Sequence, residues 1–210
     1  MALTNADIYQ AADTLRGIAR LGLKYAPNDY DRDRYQRTLT IAVELMAKLH
    51  GAPIEPLLAA EVGLDSWAHV SPITGADAAV FRDGKILLIQ RADNKLWAMP
   101  GGLVERGQIL ASAAERELCE ETGLIGQTKQ LLGIFENWRW GGENPAQIYQ
   151  AVFLVEAPEG VPTSSNETLN AGFFAEDELP SLSPSHHTRV PFVFKLMRGE
   201  VEVPYFDATE

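Results

Sequence analysis

The stretch "GGLVERGQILASAAERELCEETGL", residues 101–124, limits the folds open to this chain more than any other segment. Its second half reads as an amphipathic helix carrying Glu115, Glu117, Glu120 and Glu121, with Gly123 as its stop. Glu117, Glu120 and Glu121 stand at i, i+3 and i+4, so a helix gathers their carboxylates on one face. Like charges at such spacing repel, which costs stability unless something positive sits among them. Hard oxygen donors select Mg²⁺ or Mn²⁺ over softer metals. Arg116 cannot point fully into that face and is expected to bond a carboxylate or carbonyl from behind. Gly101 and Gly102 would let backbone carbonyls approach the same ion. The competing reading is a solvated acidic helix face.

Strand-like runs surround this helix. "TGADAAVF", the turn "RDGK" and "ILLIQR" read as a β-hairpin, and "QLLGIFEN", "IYQAVFLVE" and "NAGFFA" as further strands. A last helix is expected over "SHHTRVPFVFKLM", with Pro191 inside it. Strands around a strong central helix, with another helix near the end, predict a mixed α+β sandwich. Ahead of it, Ile8, Ala12, Leu15, Ile18, Ala19 and Gly22 make one helical face, and Thr4 with Asp7 makes a capping box. "APNDYDRDRY" reads as a turn, and Tyr35, Leu39, Ala42, Leu45, Met46 and Leu49 mark a second helix to about His50. Residues 51–70 read as a connector with a short helical turn near Leu57 to Val62. Two such helices cannot bury their stripes alone, so they must pack on the rest of the chain or on a second copy. A homodimer with residues 1–50 at its interface is the expectation.

Charge narrows the partners. With 18 basic and 29 acidic residues the net charge is −11, which argues against a nucleic-acid polymer or an anionic membrane as partner. A small anionic substrate would need a cation to bridge like charges. The single Cys119 excludes an internal disulfide and reads as structural, and the first residues lack the pattern of a signal peptide. These features predict a soluble cytoplasmic protein.

The ordered set Gly102, Arg116, Glu117, Leu118, Glu120, Glu121, Gly123 and Leu124 resembles the signature of the Nudix hydrolases. The resemblance implies an α/β/α sandwich over residues 71–210, preceded by a helical hairpin and connector over 1–70. It also implies that this loop and helix bind divalent metal. The family carries a Glu six residues after the first signature glycine, where this chain has Gln108. Gln keeps the shape and one acceptor but not the charge. In some members a Glu placed like Glu167 adds a metal ligand; a loop acid capping a strand is the alternative. Related ADP-ribose hydrolases draw a general base from a loop such as the one holding Glu143, which otherwise reads as a solvated acid. The N-terminal helices resemble those of bacterial proteins described as ADP-ribose or CDP-choline pyrophosphatase-like.

The expected activity is hydrolysis of a nucleoside diphosphate joined to another group, NDP-X, to NMP and phospho-X. Two or three Mg²⁺ ions on Glu117, Glu120, Glu121 and the Gly101 carbonyl, with Glu167, would bridge the diphosphate. Glu120, Glu117 or Glu143 would accept the proton of the attacking water, and Arg116 would hold the geometry. Arg91, at a strand end, could meet a phosphate or pair on the surface. Trp138 and Trp140 could stack a base or pack in a core or dimer. His186 and His187 read as surface residues. The other readings are a regulator that binds ADP-ribose-like ligands without turnover, and a Nudix enzyme for an oxidised nucleoside triphosphate or a capped RNA end.

Overall fold

In the computed structural model the described residues are 4–51, 53–63, 72–105, 107–144 and 147–209, with the side chains of 6 and 59–63 excepted. The chain divides into two compact units, Met1–Pro72 with Pro145–Gln147, and Ile73–Asn144 with Ile148–Glu210. The expected boundary between residues 70 and 71 lies outside the described residues.

Helix α1 (Asn5–Tyr25) opens on the Thr4–Asp7 capping box. The Asp7 N–H donates to Thr4 Oγ1 at 3.2 Å, and the Thr4 N–H donates to the Asp7 carboxylate at 2.8 Å. Helix α2 (Asp29–His50) begins earlier than the breaker-rich segment suggests. Asn28 caps it by accepting from the Asp31 N–H at 2.8 Å, and Asp29 and Asp31 suit the positive end of the helix dipole. The turn therefore shrinks to residues 26–28. Helix α3 (Ile54–Gly63) likewise begins ahead of Leu57. Ala19, Leu39 and Val43 form the small core of this unit with Leu23, Ile54, Leu57 and Leu58. The α1 stripe is only partly covered: Ala12 and Ala19 are buried, whereas Leu15 and Ile18 are exposed.

The second unit is built from β1 (Ile73–Ala79), β2 (Phe81–Arg82), β3 (Lys85–Arg91), β4 (Trp97–Ala98), β5 (Gly101–Leu103), α4 (Leu110–Thr122), β6 (Gln127–Glu136), β7 (Ile148–Glu156), β8 (Thr168–Phe174), α5 (Pro184–Met197) and β9 (Tyr205–Phe206). One sheet runs β5-β1-β7-β6-β9, with β1 parallel to β7. The other runs β2-β3-β4, and β8 pairs the free side of β3. The expected hairpin is thus corrected. Only β2 turns back on β3, whereas β1 leaves "TGADAAVF" for the other sheet.

Side chains of a strand alternate between faces, and here each face receives a helix. Ala76, Ala78, Ala151, Phe153 and Val155 pack with Ala113, Ala114 and Leu118 of α4. Ala79, Val152, Leu132 and Phe135 pack with Val190, Val193, Phe194 and Leu196 of α5. The result is an α/β/α sandwich, and it fixes where polar residues can go. Asp77, between Ala76 and Ala78, must face α5 rather than α4. Among the described residues no helix is long and apolar enough to cross a membrane.

Candidate active site

Helix α4 ends at Gly123, whose φ of 72° is the left-handed conformation that glycine adopts without strain. Of its four glutamates, Glu115 is structural: its carboxylate accepts from the Thr128 N–H at 2.6 Å and ties the helix to β6. Glu117 and Glu121 are one helical turn apart and face inward, 8% and 9% exposed. The loop before α4 lies against them. A Cβ on Gly102 would fall 2.3 Å from Glu117 Oε1, so a side chain there would displace the Glu117 carboxylate. The Gly101 N–H donates to Glu121 Oε2 at 2.9 Å.

Arg116 binds from behind, as its position on the helix predicts. It donates to Glu117 Oε1 at 2.8 Å, to Glu120 Oε2 at 2.5 Å and to the Leu103 carbonyl at 3.3 Å. Glu120 is therefore drawn outward to this guanidinium and is exposed. Of the three helix carboxylates expected to converge, Glu117 and Glu121 line one wall and Glu120 is held by Arg116. Among the described residues no three His, Cys, Asp or Glu side chains meet at metal-binding range.

Glu117 and Glu121 open on a cavity of about 760 Å³ that Asp77, Glu167, Glu143 and Arg91 also line. Burial pushes the Glu121 carboxyl up to about 8, and the charges of Glu117 and Asp77 add to this against the Gly101 hydrogen bond. Burial raises Glu117 as well, against Arg116. Two buried carboxylates that resist ionisation, beside further acids on the same wall, are a donor set suited to a hard divalent cation. Arg91 lies at the cavity and is also paired with Asp93 at 2.7 Å. Glu167 and Glu143 enter from the loops before β8 and β7, and both are exposed.

Packing separates the remaining candidates. Trp140 does not line the cavity; its ring lies 4.9 Å from Phe135 and 4.8 Å from Phe192, and its Nε1–H donates to Asp207 at 2.8 Å. Trp138 is half-buried, also away from the cavity lining, and donates to the Asn144 carbonyl at 2.8 Å, which shapes its own loop. The Trp140 ring is thus packed among Phe135, Phe192 and Tyr205, whereas Trp138 is tied to its loop through its Nε1–H. Cys119 is exposed, because it lies on the side of α4 away from Leu118 and the core. Gln108 is also absent from the cavity lining; its Oε1 accepts from the Glu105 N–H at 3.2 Å and closes the loop. His187 is exposed, but His186 is buried at 8% exposure.

His186 belongs to a polar network that the sequence reading missed. Asp77 Oδ2 accepts from Arg189 Nη1 at 2.6 Å, and Asp77 Oδ1 accepts from Gln150 Nε2 at 2.5 Å. Arg189 reaches His186 Nε2 at 3.2 Å, and His186 Nδ1 reaches Ser183 Oγ at 2.9 Å. Burial lowers the His186 pKa well below its usual value, with Arg189 and Arg91 adding to the effect. The one local signal was a lone Asp among alanines in a buried strand.

A model described as "NUDIX domain" matches residues 72–196, and one described as "UDP-X-like, N-terminal oligomerisation domain" matches residues 6–60. YjhB of Bacillus subtilis, named as a candidate ADP-ribose pyrophosphatase, is 29% identical over 94% of this chain and 96% of its own. The ADP-ribose pyrophosphatase of Methanocaldococcus jannaschii is 34% identical over 56% of this chain and 70% of its own. A crystal structure of UDP-X diphosphatase superposes with a TM-score of 0.61 at 25% identity, covering 98% of this chain and all of that one. With the domain model spanning more than half of its length, this chain belongs to the Nudix hydrolase family.

Proposed function

We propose that this chain hydrolyses the diphosphate of an NDP-X substrate, such as ADP-ribose or a UDP- or CDP-linked compound, to NMP and phospho-X. In this reading residues 71–210 carry the chemistry, and residues 1–70 form an extension that pairs two copies into a homodimer. The observation that supports it is the pair of buried carboxylates, Glu117 and Glu121, opening on a cavity with Glu167 and Asp77. The names of the relatives point the same way.

Glu117, Glu121 and Glu167, with the Gly101 backbone, are the groups that would hold Mg²⁺ or Mn²⁺. When bound, the cation neutralises diphosphate charge and makes a nearby water more acidic. Arg116 keeps Glu117 oriented and also binds Glu120, which would have to leave that guanidinium to serve as a further oxygen donor. Arg91 faces a phosphate from the opposite charge class. Glu143, exposed on its loop at the cavity, accepts the proton of the water that attacks in line with the leaving phosphate. A nucleoside triphosphate would bring more negative charge to a cavity lined by acids, so NDP-X is favoured.

A screen of nucleotide-linked diphosphates and triphosphates with Mg²⁺ and Mn²⁺, read by chromatography as nucleoside monophosphate formed, tests this. Formation from ADP-ribose or a UDP- or CDP-linked compound ahead of dATP and 8-oxo-dGTP is expected. Faster formation from either triphosphate would overturn the substrate class. Tight binding of ADP-ribose without AMP formation would favour the regulator, the reading that Gln108 in place of a Glu motivates.

A further inference from the structure

The polar network behind the acidic wall has a fixed direction. Arginine can only donate, so the contact of Arg189 Nη2 makes His186 Nε2 an acceptor. The neutral ring, held in that form by burial and Arg189, then carries its proton on Nδ1 and donates it to Ser183 Oγ. Arg189 itself is held by Asp77 at 2.6 Å, so the whole chain is anchored on an ion pair in which both partners are buried. At its far end the Ser183 hydroxyl proton has no acceptor among the described residues.

Ser183 is also the residue preceding α5, yet its side chain caps no backbone N–H of that helix. Pro184 at the first position has no N–H, and the first intrahelical bond back runs from the His187 N–H to the Ser183 carbonyl at 2.9 Å. The Ser185 and His186 N–H groups precede that bond. Ser185 Oγ accepts from Arg189 Nη2 at 3.3 Å, which leaves its own proton to donate outward. Ser183 is only 6% exposed, and the surface it retains lines the cavity together with Ser185, His186 and Arg189. The Arg189 Nε–H is buried and without a partner among the described residues. A buried serine whose donor is forced outward, at a helix start it does not cap, is a waiting ligand contact.

We propose that Ser183 and the first turn of α5 form a donor-only subsite that holds an oxygen of the substrate, a phosphoryl oxygen or a base carbonyl. This rests on the NDP-X reading for the substrate, not on the acidic wall for its chemistry. Ser183 binds and orients, and the Asp77–Arg189–His186 relay positions its hydroxyl. The assignment predicts loss of binding rather than of turnover, because the hydroxyl acts on the bound substrate throughout.

The test compares wild type, S183A and S183T by calorimetry with AMP and with UMP in the presence of Mg²⁺, and by KM and kcat on ADP-ribose and UDP-glucose. Melting temperatures of the three proteins show whether each folds. Removing the donor should weaken binding about tenfold, as loss of a hydrogen bond to a charged group commonly does, with kcat within about twofold. S183T keeps the hydroxyl and should stay within about threefold of wild type. A phosphoryl contact weakens AMP and UMP alike, whereas a base carbonyl contact weakens UMP alone, since adenine has no carbonyl. Unchanged affinity of folded S183A for both nucleotides overturns the subsite, as does an equal loss in S183T. Calorimetry needs no turnover, so a protein that cleaves neither these two compounds nor any other diphosphate of the screen refutes the NDP-X reading while the nucleotide affinities still decide the subsite.

Discussion

Glu121→Gln should make the metal-free protein more stable while abolishing its activity. In the folded chain burial lifts the Glu121 carboxyl from 4.5 to about 8. Between those values the folded state keeps a proton that the unfolded state has released. Wild-type stability therefore falls as pH rises from 4.5 to 8 and levels off above. At about 1.4 kcal/mol per pH unit the cost approaches 5 kcal/mol above pH 8 and is roughly 3 kcal/mol at pH 7, an upper limit because local relaxation lowers it. Gln keeps an oxygen to accept the Gly101 N–H and carries no charge, so the variant escapes this cost. For a chain of this size the gain at pH 7 corresponds to roughly 6–12 °C in melting temperature. Scanning calorimetry in EDTA at pH 5, 7 and 8.5 should show a gain that grows with pH. Added Mg²⁺ should narrow or reverse it by stabilising wild type. A variant less stable than wild type at pH 7 and 8.5, or a gain independent of pH, would refute the strained-carboxylate account.

Other perturbations test separate parts. Glu117→Gln should lower turnover by roughly two orders of magnitude, a common result of losing a metal-holding group, and near-normal rates in saturating Mg²⁺ would move the site elsewhere. Gln108→Glu keeps the acceptor for the Glu105 N–H, so activity should be preserved or modestly raised, and a collapse would give Gln108 a direct role. Trp140→Ala should cost about 3 kcal/mol of stability through the aromatic cluster with KM unchanged; a raised KM at unchanged stability would restore Trp140 to the substrate. Sedimentation should show a dimer for the full chain, and a monomer at micromolar concentration would remove the role given to residues 1–50.

What could be read in the sequence was local. The Thr4–Asp7 cap, the stop of α4 at Gly123 and the binding of Arg116 to its neighbours all follow from local spacing. The signature positions were equally readable, because they sit within 23 residues of one another. The missed features depend on distant partners. Asp77 meets Arg189 112 positions later, which no local period announces. Trp140 is drawn into the core by Phe192 and Tyr205, from the last helix and strand. Strands β4 and β5 hold two and three residues, too few for an alternation to show. The break at Val80 that sends β1 and β2 to different sheets lies inside one unbroken apolar run. The direction of Glu120 was hidden for a different reason: helical spacing brings it near Glu117, but the Arg116 guanidinium decides which way its carboxylate turns.

The most direct test of the central claim is chromatographic identification of the products from ADP-ribose incubated with the full chain, with Mg²⁺ and with EDTA. The acidic cavity as a metal-dependent diphosphate-cleaving site predicts AMP and ribose 5-phosphate in equal amounts with Mg²⁺, and intact ADP-ribose with EDTA. Cleavage that persists at the same rate in EDTA, or products other than a nucleoside monophosphate and a phosphorylated partner, would contradict it.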